Sequence, residues 1–352
     1  MPETPSLQSR YNQFFVLFLL CSFIYVMIQT ARGGIENFQD HFYQMGPLRG
    51  SANLLKMKLG DKVFPGALME RDGWMEYTGE GTIDDFQNAR PWENLNDLGR
   101  GLTTLNEYLE QQGITLLIVV APNKTSIYPE KLPEELKTLP SPSRLDTLIS
   151  YLDENCIPTL DLRPALRTAR QEGDVYYKTD THWNGYGAFV AYTTIIDVLG
   201  SSYPQLKPYQ PADLNLETID PAVREIPGML DINYPALLRT TSLEEMSQFF
   251  VPSEDFVHEL HPGYQIGYNQ LSWIPDSNLP TLLMFHDSFG KNYLNNYLSM
   301  NFSESHFIFL ADMPQYLTKE SIQKFSPDII IIEIVERNMQ DLPLYFPWFM
   351  LE

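Results

Sequence analysis

Two short motifs carry residue types suited to nucleophilic chemistry. The first is Thr179-Asp180-Thr181-His182-Trp183-Asn184 and the second is His286-Asp287-Ser288-Phe289-Gly290. A serine nucleophile needs a base to take its proton and donors to hold the oxyanion that forms. His182 is the candidate base, and Asp180 the carboxylate that orients it and stabilises the imidazolium. Ser288 is the candidate nucleophile. Its own backbone N–H is one natural oxyanion donor, and Asn123 is a candidate for the second. Taken singly, Asp287-Ser288 before a helix is an ordinary N-cap pair, and a His beside a Trp an ordinary core residue. The two motifs together, each at a loop–helix junction, point to a Ser-His-Asp site. Asp180, His182, His286 and Asp287 would also offer nitrogen and oxygen ligands. With no His-x-x-x-His and no cysteine pair at ligand spacing, no metal is expected. His258 and His261 are expected to be solvated. P-loop, Gly-x-Gly-x-x-Gly and Gly-x-Ser-x-Gly patterns are absent, and no cofactor is expected.

Such residues need a scaffold, and the pattern of the chain supplies one. Leu95, Leu98, Leu102, Leu105 and Leu109 recur at three- and four-residue steps, which predicts a helix opened near Pro91 and ended by Gly113. Thr115 to Ala121 is a continuous apolar run, as in a strand buried on both faces. Helices are then predicted over 143–155, 184–199, 288–300 and 318–325, and strands over 157–161, 281–285, 306–310 and 328–333. Strands alternating with helices imply an α/β domain: a parallel sheet with helices on both faces. In such sheets ligands bind beyond the carboxyl ends of the strands, where Asn123 and Ser288 fall. Ser288 also opens a helix, whose free N–H groups favour negative charge. Asp72-Gly73 reads as a hairpin turn. Residues 201–275, rich in Pro, Asn and Tyr, read as an irregular insertion or lid.

The chain has 352 residues, with 24 Lys and Arg against 45 Asp and Glu, a formal charge of −21. An acidic surface repels phosphate backbones, so nucleic acid is not an expected partner. Apolar residues make up 43% and charged ones 20%, the balance of a folded globule. Cys21 and Cys156 cannot form a disulfide scaffold and are expected to be free and inert. Residues 14–28 contain no charge and lie between Arg10 and Arg32. With soft flanks the run reaches the lower length of a membrane span. An uncleaved signal anchor over residues 1–32 is the expected reading, with residues 33–352 exported as one domain; a cleaved signal peptide is the other reading.

Asp180-Thr181-His182-Trp183 preceding Asp287-Ser288-Phe289 resembles the SGNH-hydrolase-like polysaccharide O-acetyltransferases of the AlgJ/AlgX type. Their motif order is the reverse of that in ordinary SGNH esterases. Asp72-Gly73-Trp74, Pro122-Asn123-Lys124 with Ile127-Tyr128-Pro129, and Pro327-Asp328 through Glu333 and Glu336-Arg337 extend the resemblance over about residues 60–340. The resemblance implies a flavodoxin-like sheet and an exported acyltransferase. Its acetyl group would pass through Ser288, with His182 as base and Asp180 as orienting carboxylate. The acceptor would be a cell-surface polysaccharide and the donor a multispanning membrane O-acyltransferase. An acetyl esterase, or a binding protein on the same fold, would use the same framework. The short C-terminal remainder resembles the AlgJ branch. His286 stands where the family often has Gly, close enough to narrow the oxyanion region or touch substrate. An anionic polymer would need a local basic groove, for which Lys124 and Lys291 are the candidates. Trp74, Trp183 and Trp273 would suit sugar stacking or the core equally.

Overall fold

The computed structural model describes residues 7–33, 45–136, 138, 142–219, 225–230, 247–251, 253–275 and 277–345. Strands are numbered along the chain. β1 (Val63–Phe64), β2 (Ala67–Met69) and β3 (Met75–Tyr77) form a small antiparallel sheet. The turn between β2 and β3 holds Asp72 and Gly73 at φ 59° and 77°, as a tight hairpin requires. β4 (Thr115–Ala121) and β5 (Thr159–Asp161) follow. Among the described residues, β6 (Asn215–Ile219) and β7 (Ser247–Val251) form a separate two-stranded antiparallel sheet. β8 (His261–Ile266), β9 (Asn269–Trp273), β10 (Thr281–His286), β11 (Glu304–Phe309) and β12 (Ile329–Val335) complete the set.

The central sheet runs β5-β4-β12-β10-β11-β9-β8. Its first five strands are parallel. β9 joins β11 antiparallel and β8 joins β9 antiparallel. The sheet is therefore mixed rather than purely parallel, and residues 261–273 are ordered strand rather than irregular insertion. The hairpin turns in two residues, because Ile266 pairs with Asn269 and Gly267 takes φ 59° between them. Of the rest of that segment, residues 220–224, 231–246 and 252 lie outside the described residues.

Both faces are covered, as the apolar runs require. Leu116, Ile118 and Val120 pack with the helices Leu95–Gln111 and Arg144–Glu154 on one face. Leu117, Val119 and Ala121 pack with Gly185–Gly200 and Arg163–Ala169 on the other. The first of these helices begins at Leu95 rather than near Pro91. Asn94 takes φ −132° and ψ 33°, outside the helical range, and Trp92 before it donates its indole N–H to the Arg144 carbonyl at 2.9 Å. Ser143 closes a capping box with Asp146, and Asn184 caps Gly185–Gly200 by accepting the Gly187 N–H at 2.9 Å.

The N-terminal helix spans Leu7–Gly33, and its described side chains between Phe14 and Ile28 are exposed. Among the described residues no helix is long and apolar enough to cross a membrane. Cys21 and Cys156 are free thiols, and both are exposed.

Asn184 connects the Asp180–His182 loop to its helix, and its amide also donates to the Asp174 carbonyl at 2.5 Å. Asn184→Ala removes the cap and strands that carbonyl, so chemical denaturation should show a loss of about 1–2 kcal/mol. An unchanged midpoint would show that the cap is dispensable.

Candidate active site

Asp180 and His182 sit on a short reversal of the chain. The Tyr177 N–H donates to the His182 carbonyl at 3.2 Å, the Asn184 N–H donates to the Val175 carbonyl at 3.1 Å, and Tyr176 bridges Trp183. At its tip the Asp180 Oδ1 accepts the His182 backbone N–H at 3.0 Å and stands 2.7 Å from Nδ1. Its Oδ2 accepts the Glu225 N–H at 3.2 Å. Burial pushes the Asp180 carboxyl up, but the hydrogen bond and charge of His182 outweigh it. With the two backbone donors they hold Asp180 well below the usual carboxylate range. The other ring nitrogen, Nε2, lies 2.8 Å from the Ser288 Oγ across 106 residues of sequence. With Nδ1–H turned to the carboxylate, Nε2 is left as the acceptor for the serine proton.

Ser288 stands just past the carboxyl end of β10, and its turn is held from below. Asp287 accepts the Phe289 N–H on Oδ1 and the Val335 N–H on Oδ2, each at 2.7 Å, so its carboxylate joins the turn to the end of β12. The Asp287 N–H in turn donates to Glu333 at 3.1 Å. Glu333 is wholly buried, and burial with the charge of Asp287 raises its carboxyl well above the ordinary value. The chain then enters a π-helical turn, Gly290–Leu294, before the helix Asn295–Ser299. Only a glycine fits at 290, since a Cβ would stand 2.5 Å from that of His286. Trp183 locks the two motifs together by donating its indole N–H to the Phe289 carbonyl at 3.1 Å.

The structure brings Asp180, His182 and Ser288 into one hydrogen-bonded line, and it places the other sequence candidates elsewhere. Trp183 is fully buried and offers no sugar a face. Trp74 is buried as well, while Trp273 is 39% exposed and stacked with His261. His286 is also fully buried. Its Nδ1 meets the Asp287 carbonyl at 2.7 Å and its Nε2 meets the Asn295 amide at 3.1 Å, so it neither narrows an oxyanion site nor reaches substrate. Burial pushes its pKa down, consistent with a neutral ring that donates from Nδ1. Asn123 is buried, with its backbone N–H on Glu336 at 2.8 Å. No hydrogen bond joins its amide to any of the described residues. Lys124 is buried and turned inward onto backbone carbonyls, so it lines no basic groove. Lys291 is partly exposed, with its ammonium 3.8 Å from the centre of the Tyr268 ring. The four residues able to offer ligands, Asp180, His182, His286 and Asp287, are not brought together as one set. Asp287 and His286 are committed to the turn, and the donor atoms that do cluster within 4.8 Å belong to Asp180, His182 and Glu225.

Glu333, Glu76, Glu225 and Arg337 escaped the sequence reading as site residues. Glu333 had a signal: a lone acid within Ile329–Val335, a strand buried on both faces, needs a partner. Arg337 lies 5.6 Å from the Phe289 ring centre and 5.5 Å from that of Tyr77, with Nε on Glu80 at 2.8 Å. Glu336-Arg337 belongs to the segments that carry the resemblance, but its pattern does not show that the guanidinium turns toward Phe289.

A family description, the SGNH hydrolase-like domain of acetyltransferase AlgX, matches residues 68–336. The chain belongs to that family. It is 27% identical over 155 residues to the probable alginate O-acetylase AlgJ of Pseudomonas aeruginosa, covering 43% of this chain and 38% of that protein. To the AlgJ of Pseudomonas syringae pv. tomato it is 30% identical over 176 residues, covering 49% and 43%. The aligned stretches thus span less than half the length of these relatives. Among solved structures, the O-acetyltransferase domain of Pseudomonas putida AlgJ superposes with a TM-score of 0.53 at 20% identity, covering 82% of this chain and 98% of that one. Bacillus cereus PatB1 with a sulfonyl adduct gives 0.55 at 15%, covering 80% and 99%. At such identities the likeness is one of fold.

Behind the site lies Glu70, 7% exposed, whose carboxyl is pushed up to about 8 by burial and then by Glu76. A raised carboxyl stabilises the fold below its unfolded value, and that stability is lost as pH rises through the folded value. The thermal midpoint should therefore fall between pH 5 and about pH 9. Glu70→Gln, which removes the ionisation, should flatten that slope; an equally steep slope in the variant would exclude Glu70 as its source.

Proposed function

We propose that the chain is an extracytoplasmic O-acetyltransferase acting on polysaccharide hydroxyls through an acetyl-Ser288 intermediate. The observation that carries this is the Asp180–His182–Ser288 line, with contacts of 2.7 and 2.8 Å, at the carboxyl edge of the parallel strands. Family membership supports the acyl-transfer reading. In the first half-reaction the Ser288 Oγ attacks the donor's acetyl carbonyl while Nε2 of His182 takes the serine proton. The imidazolium, stabilised by Asp180, returns that proton to the leaving group. In the second, a sugar hydroxyl loses its proton to His182 and attacks the acetyl-serine, and the imidazolium reprotonates the departing Ser288 Oγ. The Asp287 and Phe289 N–H groups are engaged by Glu333 and the Asp287 carboxylate, so the oxyanion donor in this reading is the backbone N–H of Ser288 itself.

The resemblance to the AlgJ branch supports a multispanning membrane O-acyltransferase as the source of the acetyl group. The exposed apolar run between Phe14 and Ile28 supports attachment to a membrane at that end, with the folded domain outside the cytoplasm.

Incubation with para-nitrophenyl acetate, acid quench and intact-mass measurement tests the intermediate. The wild type should gain a single acetyl increment. Ser288→Ala should gain none while keeping its circular dichroism spectrum, and an increment retained in Ser288→Ala would refute the assignment.

A further inference from the structure

We infer that Lys124 is a positioning residue for the Asp180–His182 pair: its buried ammonium fixes the backbone of the loop on which both stand. The inference rests on the reading of Asp180, His182 and Ser288 as a catalytic relay.

Lys124 follows β4 at the carboxyl edge of the sheet and is 1% exposed. Its Nζ donates to the Asp180 carbonyl at 2.8 Å and, in a short contact, to the Met75 carbonyl. The Tyr177 and Lys178 carbonyls stand at 3.4 Å each. Three N–H bonds thus face four backbone oxygens drawn from β3 and from residues 177–180. None is left for a substrate. A buried ammonium is tolerated only where it is paired and hydrogen-bonded. The nearest carboxylate, Glu76, is itself buried and lies 3.9 Å away. The loop meets β3 independently through the Met75 N–H, which donates to the Lys178 carbonyl at 2.8 Å. Lys124 adds what that bond cannot, a grip on Asp180 itself.

Asp180 is therefore held at both ends. Lys124 takes its carbonyl, while His182 and Glu225 address its carboxylate. The direction of the carboxylate sets the plane of the His182 ring, and that plane aims Nε2 at Ser288. Without the ammonium, the Asp180, Met75 and Tyr177 carbonyls lose this donor, only the Lys178 carbonyl keeps its bond to the Met75 N–H, and the tip of the loop can swing. The loss would be felt in the alignment of the relay rather than in substrate affinity.

A double-mutant cycle on the full chain in detergent separates this from a role in stability alone. The readout is the steady-state turnover of para-nitrophenyl acetate. Lys124→Met should lower kcat by about 100-fold with KM changed less than about twofold, and Asp180→Asn should lower kcat by about 10³–10⁴-fold. In the Asp180→Asn background, adding Lys124→Met should cost less than about threefold, because the residue it positions is already disabled. Losses that multiply in the double variant, or a wild-type kcat in Lys124→Met, would overturn the inference. Wild-type turnover in Asp180→Asn would instead overturn the relay reading beneath it. Should Lys124→Met fail to fold, Lys124→Arg carries the same test. It keeps the charge, but a planar fork cannot address carbonyls on both sides. The same loss and the same non-additivity are expected, and wild-type kcat in Lys124→Arg would overturn the inference.

Discussion

The 2.8 Å contact between His182 and Ser288 joins residues 106 positions apart, and much of the buried polar structure serves to hold its two ends. On the serine side, Asp287, Glu333 and His286 tie the turn to β12 and to the helix that follows. On the histidine side, backbone bonds across residues 175–184 and the Lys124 ammonium hold the loop. Trp183 bridges the two by bonding the Phe289 carbonyl from the histidine motif. Hydrogen bonds of this kind contribute only about 1 kcal/mol each to stability, yet leaving any buried partner unpaired costs more. The geometry is specified by the penalty of disrupting it.

The same residues explain how a strongly acidic protein carries charge in its interior. Glu70, Glu76, Glu333 and Glu336 are all buried beneath or beside the site, and burial raises the carboxyl of each. Lys124 is consumed among them, and Arg337 is paired with Glu80 over aromatic rings. Lys124 and Arg337 are thus structural, while Lys178, two residues before Asp180, is partly exposed beside Asp174. Of the two lysines considered for a basic groove, Lys291, on the turn that follows Ser288, is the one whose charge is partly exposed.

The scaffold was legible because its strands are apolar on both faces and its helices are capped in their sequence. β4 and the helices Arg144–Glu154 and Gly185–Gly200 match their expected limits to within a residue or two. The Asp180, His182 and Ser288 positions were legible as motifs at loop–helix junctions. What lay beyond reach was the direction of side chains. Lys124, just past the end of β4, and Trp183 and His286, within the motifs, were candidates for substrate, and each turns inward. Nearness in sequence to a site carries no sign of which face a residue presents. The β8–β9 hairpin was missed because its strands are polar and carry no continuous apolar run. Its signal, Gly267-Tyr268 between paired residues, is a two-residue turn that hydropathy does not detect.

The central claim is that the relay is assembled in the resting protein. The proton between His182 Nδ1 and Asp180 reports on it directly. A proton NMR spectrum of the nitrogen-15-labelled protein near 0 °C should show this Nδ1 proton far downfield, bonded to a histidine nitrogen and lost in Asp180→Asn. A wild-type spectrum with no such resonance, or one that survives in Asp180→Asn, would contradict the account.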